Sequence, residues 1–321
     1  MTFLQLLKNV HIGYLSAIIA AILFGSVSTI TKPVLVDLNP LSISSLTYII
    51  AGLSLIPFVK FSFTNSNSNT NNDTSKTTNN TLNKKRKWTD NNRKNYFLLL
   101  LTSLCGAVIA PSLFFYGLSN SSASDSSILI NGEVLFSILL AIVFFNEKLI
   151  KREIVAIVFV LVGIVILTTK MQFLSSSNSF VELNIWNILI VGSTLFWALD
   201  NNISKVLSKT IHIPKIIVLK SLIGGSLLFT LTIIIFGIDE FDVSILHIQY
   251  LVFAGSMGFG ASLFFFLHSL KRIGTIKTML LFSTSSIFGM IFAKLFLNEN
   301  ITFYQIIAVG IILAGCYLIK R

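Results

Sequence analysis

The chain has 321 residues, of which 54% are hydrophobic and only 12% charged, with 28 Phe and a mean hydropathy of +0.82. An ordinary soluble domain carries about 25% charge, so a cytosolic enzyme or a disordered regulator is excluded and the natural solvent is a bilayer. The net charge of +11, from 24 Lys+Arg against 13 Asp+Glu, reads in such a chain as an orientation signal rather than a nucleic-acid footprint.

A helix needs about 20 mostly apolar residues to cross a membrane. Ten such runs are predicted, over residues 13–31, 41–59, 96–117, 124–145, 154–168, 184–204, 213–236, 248–268, 273–297 and 301–319. The first is too long for a signal peptide and no clear cleavage site follows it. The runs are also longer than outer-membrane strands. The expected fold class is therefore an all-α membrane protein with ten transmembrane helices.

Between runs 2 and 3, residues 61–95 change character. An Asn-, Ser- and Thr-rich stretch leads into Lys84, Lys85, Arg86, Lys87, Arg93 and Lys94. Such composition cannot bury a core and is expected to form a disordered loop. The basic residues would attract anionic lipid or simply hold the loop in the cytoplasm. Other basic residues follow the same parity. Lys148, Lys151 and Arg152, then Lys205, Lys209 and Lys215, then Lys271, Arg272 and Lys277, and finally Lys320 and Arg321 fall in even-numbered loops or the tail. The odd loops hold only Lys32 and Lys170, and one is acidic with Asp239, Glu240 and Asp242. The positive-inside bias then puts both termini in the cytoplasm of a multi-pass cell-membrane protein. Asn72 and Asn79 stand in glycosylation sequons, which a cytoplasmic loop would leave unused.

The chain repeats itself. At a shift of 152 positions, Gly106 meets Gly258, Phe114 meets Phe266, Leu118 meets Leu270, Ala141 meets Ala293 and Gly163 meets Gly315. Asn146-Glu147 meets Asn298-Glu299. Each half then holds five helices, residues 1–170 and 184–321, and an odd number inverts the second half in the membrane. Two inverted five-helix repeats are the architecture of a secondary transporter working by alternating access. Glu147 and Glu299 each end a run, either as gate residues or as hydrated interfacial acids.

Charge inside the membrane is costly and marks pathways. Glu133 sits mid-run. In a continuous helix, Ser126, Ile130, Glu133 and Ser137 share one side, and Asn131 and Ser127 lie nearly opposite. Glu133 would bind a cation or a proton, or else make a structural hydrogen bond. Asp200 and Lys220 flank a short loop and are expected to pair, with Glu133 as a rival partner for Lys220. Lys32 and Lys294 sit near run ends and can snorkel. Trp197, Tyr116, Phe265, Phe266 and Phe282 are wall or packing residues. Ser283-Thr284-Ser285-Ser286 either offers hydrogen bonds to a solute or bonds back to its own helix. Pro111 is expected to kink its helix.

Other chemistries find little support. The four His have no metal-ligand spacing, Cys105 and Cys316 lie in apolar runs, and there is no phosphate-binding Gly-x-x-x-x-Gly-Lys loop. No cofactor or metal is expected. Gly255-Ser256-Met257-Gly258 has the look of a serine-nucleophile motif without a partner His. A channel or a membrane enzyme remains the alternative class. Expected partners are a small-molecule solute and the lipid bilayer, with a homodimer left open and no nucleic acid.

Several stretches together resemble EamA-type members of the drug/metabolite transporter superfamily, over nearly the whole chain. They are Leu23-Phe24-Gly25-Ser26 with Lys32, Ala110-Pro111, Tyr116-Gly117-Leu118, Asn131-Gly132-Glu133-Val134, Phe196-Trp197-Ala198-Leu199-Asp200-Asn201-Asn202, Lys220-Ser221 and Phe282-Ser283-Thr284. Many members have Pro where this chain has Val134, and its Asn-rich loop is atypical. The resemblance implies a central cavity lined by helices 1, 3, 4, 6, 8 and 9, with 5 and 10 peripheral. It also implies movement of a small solute, often outward. On these grounds Glu133, Asn131, Asp200, Asn201, Lys220, Trp197, Tyr116, Ser283 and Thr284 are the candidate substrate-binding or coupling residues.

Overall fold

The structure, a computed structural model, describes residues 3–67, 81–145, 151–169 and 184–318. Among these residues every regular element is helical. The helices are α1 (Phe3–Thr31), α2 (Pro40–Asn67), α3 (Thr81–Leu104), α4 (Ala110–Asn120), α5 (Ala123–Leu129), α6 (Gly132–Phe145) and α7 (Lys151–Thr169). They continue as α8 (Ile185–Leu207), α9 (Ile213–Phe236), α10 (Ile245–Phe253), α11 (Ser262–Ile273), α12 (Thr275–Phe282), α13 (Ser285–Leu297) and α14 (Phe303–Leu318). Glu147 and its neighbour Asn146 lie outside the described residues. So do residues 68–80 of the polar loop, whose flanks are helical as the ends of α2 and α3.

Six segments are long and apolar enough to cross a membrane: His11–Val36, Pro40–Val59, Arg93–Asn120, Ile213–Phe236, Ile245–Ile273 and Lys277–Leu297. Ile157–Thr169 and Phe303–Gly315 are apolar but shorter. This establishes a multi-pass membrane protein. Helix α8, which carries Asp200, is not in this set, because Asn187, Asp200, Asn201 and Asn202 dilute its apolar signal.

Two expected spans are interrupted by non-helical turns. The first breaks at Ile130–Asn131, between α5 and α6, and the second at Ser283–Thr284, between α12 and α13. Asn and Gly are poor helix formers, and Ser and Thr hydroxyls compete for backbone groups. Ser283 and Thr284 donate to the carbonyls of Leu280 and Leu281, at 2.7 and 2.6 Å. The break overturns the expectation that Glu133 and Asn131 lie on opposed stripes of one continuous helix. Both are buried, as are Ser126, Ser127 and Ser137. Asn131 and Ser283 are themselves related by the 152-residue shift.

Two widened turns stand at shift-related places as well. A π-helical turn, Cys105–Ile109, joins α3 to α4, and another, Ala254–Ala261, joins α10 to α11. A proline inside a regular helix collides with the carbonyl four residues earlier. For Pro111 that residue is Ala107, inside the widened turn, which leaves room for the ring and makes the site a natural bulge. Ser256 sits in the second widened turn and donates to the Val252 carbonyl at 2.6 Å.

The packing pairs come in matched sets. α2 lies on α9 and α7 on α14; α1 packs against α11 and α13, while α8 packs against α4 and α6. Close approach needs small residues. Gly25 of α1 rests on the Ser285 carbonyl and the Gly289 amide of α13, and a methyl on Gly289 would overlap Ser127 of α5.

Candidate functional site

Helix α8 places the central side chains. Trp197, Asn201 and Ser204 follow one another at helical spacing, with Asp200 beside them, so a single face presents an aromatic ring, an amide and a carboxylate. Asn184 starts this helix as its cap, its side chain accepting from the Trp186 amide at 3.0 Å.

Three ionisable groups are buried together. Lys220 is 0% exposed, Asp200 1% and Glu133 3%. Lys220, from α9, donates to Asp200 Oδ2 and forms an ion pair with it. Ser204 donates to the other carboxylate oxygen at 3.0 Å. Helices α8 and α9 both pack on α3 and its widened turn Cys105–Ile109, and Lys220 reaches Asp200 beside that turn.

Glu133 finds an amide instead. Asn201 Nδ2 donates to Glu133 Oε1 at 2.6 Å, tying α8 to the start of α6. The Asn201 carbonyl oxygen and the Asn131 amide nitrogen are buried with no hydrogen-bond partner among the described residues. An unmatched buried acceptor or donor costs about 1–3 kcal/mol. The side-chain oxygen of Asn201 and the side-chain nitrogen of Asn131 therefore carry that cost among the described residues. Ser137 and Ser221 hydroxyls are also unmatched.

Aromatic rings cover this polar layer. Trp197 Nε1 donates to the Tyr48 hydroxyl at 3.2 Å. The Trp197 ring lies 5.6 Å from Phe24, 5.2 Å from Phe114 and 6.4 Å from Phe259, between centroids. Phe24 also meets Phe282 at 5.2 Å. Of the aromatics expected as walls, Phe282 and Trp197 join this cluster, Phe266 packs behind Phe282, and Phe265 lies against Phe264. Tyr48 and Phe259 were not singled out from sequence, and Phe24 and Phe114 were noted there only as motif and repeat positions. Tyr116 is half-buried near the end of α4, where its carbonyl accepts from Ser119 at 2.7 Å. Ser283 and Thr284 spend their donors on their own helix, as described above.

A second polar group sits at one end of the bundle. The Asn-Glu motif explains itself there. Asn298 closes α13 in the left-handed conformation, φ 54°, which Asn tolerates. Glu299 then reaches the start of α5, accepting from the amides of Ala123 and Ser124 at 2.8 and 3.0 Å and from the Ser124 hydroxyl. Lys32 does not merely snorkel. Its Nζ donates to the carbonyls of Leu118, Ser119 and Ser121 at 2.7, 3.0 and 2.7 Å. Lys294 is exposed, 3.4 Å from Asn300 Oδ1. No group of three or more His, Cys, Asp or Glu that could hold a metal ion occurs among the described residues.

These are the contacts of a multi-pass helical membrane protein with charge buried in its interior, and comparison with known proteins places it among membrane transporters. The EamA-like transporter family matches residues 11–169 and 184–321. An uncharacterized transporter of Methanothermobacter thermautotrophicus is 32% identical over 310 residues, covering 96% of this chain and 85% of its own length. A solved crystal structure shares the fold, with a TM-score of 0.64 at 13% identity over 96% of both chains. The chain belongs to the EamA-like transporter family.

Proposed function

We propose that this protein is a secondary transporter that moves a small solute across the cell membrane by alternating access, with Glu133 as the coupling group. The ten crossings are α1, α2, α3–α4, α5–α6, α7, α8, α9, α10–α11, α12–α13 and α14. They form two inverted repeats with both termini in the cytoplasm. The matched helix pairs, the matched breaks at Asn131 and Ser283 and the matched widened turns support this arrangement. So does the two-part family match. Export is the direction taken from the family resemblance.

The observation that carries the proposal is the imbalance of buried charge. Asp200 and Lys220 compensate one another. Glu133 has only the neutral Asn201 amide as a hydrogen-bond partner among the described residues. A carboxylate so far from water needs a proton or a cation, and mid-membrane acids of this kind mark ion and substrate pathways. The unmatched Asn201 oxygen and Asn131 nitrogen supply the solute's hydrogen bonds, and Trp197 with its ring neighbours supplies the apolar wall. Tyr116, Ser283 and Thr284 stand at the edges of this site.

Glu133→Gln keeps the shape and the contact with Asn201 but removes the exchangeable proton. In liposomes holding a trapped pH dye, challenged in turn with amino acids, sugars, nucleotides and organic cations, the parent protein should move protons with at least one solute class. Glu133→Gln should abolish that proton movement and flatten the pH profile of flux, leaving solute exchange in place. A variant with the parent's rate and pH profile would overturn the coupling role.

A further inference from the structure

The turn between α4 and α5 is held from several sides. Lys32, just beyond α1, donates to three carbonyls at the end of α4. Glu299, between α13 and α14, accepts three hydrogen bonds at the start of α5. Gln305 of α14 donates to Asp125 of α5 at 2.7 Å. Asn187 of α8 accepts from the Ser121 hydroxyl. Every one of these bonds joins the turn to a different part of the chain.

The charges are disposed in the favourable sense. A cation meets the carbonyl end of α4 and an anion meets the amide end of α5. Neither charge uses the other as its hydrogen-bond partner. Both are spent on neutral groups, and both side chains are only half-buried. Water can replace a neutral partner of a half-buried charge at little net cost, because the bond exchanges for one of similar strength. The Asp200–Lys220 pair is different, since separating it would strand two charges in the interior. The contacts at the α4–α5 turn are therefore the ones a conformational change can break.

The segment they hold leads to Glu133. α5 spans only Ala123–Leu129, ends at the Ile130–Asn131 break, and Glu133 lies in the first turn of the next helix. A short rod anchored at one end and jointed at the other moves as a lever. We propose that Glu299 and Lys32 are a latch that keeps this end of the path to Glu133 closed. Opening to this side, which the charge bias assigns to the exterior, requires both to release. The inference rests on the alternating-access reading but concerns residues outside the Glu133 site.

Ser127 reports the latch. It lies on α5, 2% exposed, against Gly289 of α13. In a protein with Cys105 and Cys316 replaced by Ala, Ser127→Cys should react slowly with a membrane-impermeant maleimide in vesicles. Adding Glu299→Ala removes three hydrogen bonds to one carboxylate and should raise the rate by about tenfold, which discounts most of their strength for replacement by water. Lys32→Met should act in the same direction, and Glu299→Gln, which keeps an acceptor oxygen, should do less. Should the Ala variant fail to fold by size-exclusion chromatography, Glu299→Gln and Lys32→Met decide. Folded variants that label at the parent rate would make these contacts a static strut and overturn the latch. Flux measured in parallel separates the two readings. A parent that moves no solute defeats the transport proposal, whereas unchanged labelling defeats only the latch.

Discussion

Lys220→Met is expected to destabilise the folded protein by about 3–5 kcal/mol, the usual cost of leaving one member of a buried ion pair without its partner. Asp200→Asn should cost a similar amount, because it strands an ammonium that is 0% exposed. The double variant, Asp200→Asn with Lys220→Met, should recover most of the loss. Met follows the Lys stem through the same packing, and the Asn carbonyl can still accept from Ser204, which now bonds Asp200 at 3.0 Å. Equilibrium unfolding in mixed micelles measures all three, and the pairwise coupling comes from the cycle. A double variant no more stable than either single one would show that the two charges do not act as a pair. Recovery of stability without recovery of flux would show that the pair also serves transport.

The membrane class and the family were legible because both rest on composition and on local motifs. The pairing of Asp200 with Lys220 was also legible, since two opposite charges inside adjoining apolar runs need a partner, although their helices α8 and α9 pack on α3 and its widened turn rather than on each other. The helix breaks were harder to see. The apolar run passes through Asn131 and Ser283 without interruption, and only Asn131-Gly132 and the hydroxyl run from Ser283 to Ser286 hint at them. Tyr48 was missed because nothing near it in sequence indicates that its hydroxyl meets Trp197, on a helix about 150 positions away. Glu299 showed the same limit in sharper form. The repeat singled it out, but its role depends on α5, which lies 175 and 176 positions earlier in the chain. Local chemistry names the candidates; non-local packing decides what each of them touches.

Gly106→Ala should be among the most damaging single-methyl additions in this protein. The widened turn at Cys105–Ile109 brings Gly106 against α8, where a new Cβ would overlap the carboxylate and the Cβ of Asp200. Overpacking a dense interior costs about 1–3 kcal/mol when the neighbours can yield. Here the neighbour is fixed by Lys220 and Ser204, so relief of the overlap means loss of the ion pair and a total nearer the cost of breaking it. Gly258, the shift-related glycine in the second widened turn, faces the side chain of Val27 instead, with a methyl carbon 2.6 Å from the new Cβ position. Gly258→Ala should therefore cost less than Gly106→Ala, although the two occupy matched places. The cause can be isolated. In a protein that already carries Asp200→Ala and Lys220→Met, the carboxylate and the ion pair are gone and only the residue-200 Cβ remains in the way, so adding Gly106→Ala should cost clearly less than it does in the parent. Thermal unfolding of the four proteins tests this. If Gly106→Ala costs the same in both backgrounds, the glycine serves the geometry of its own turn and not the placement of Asp200.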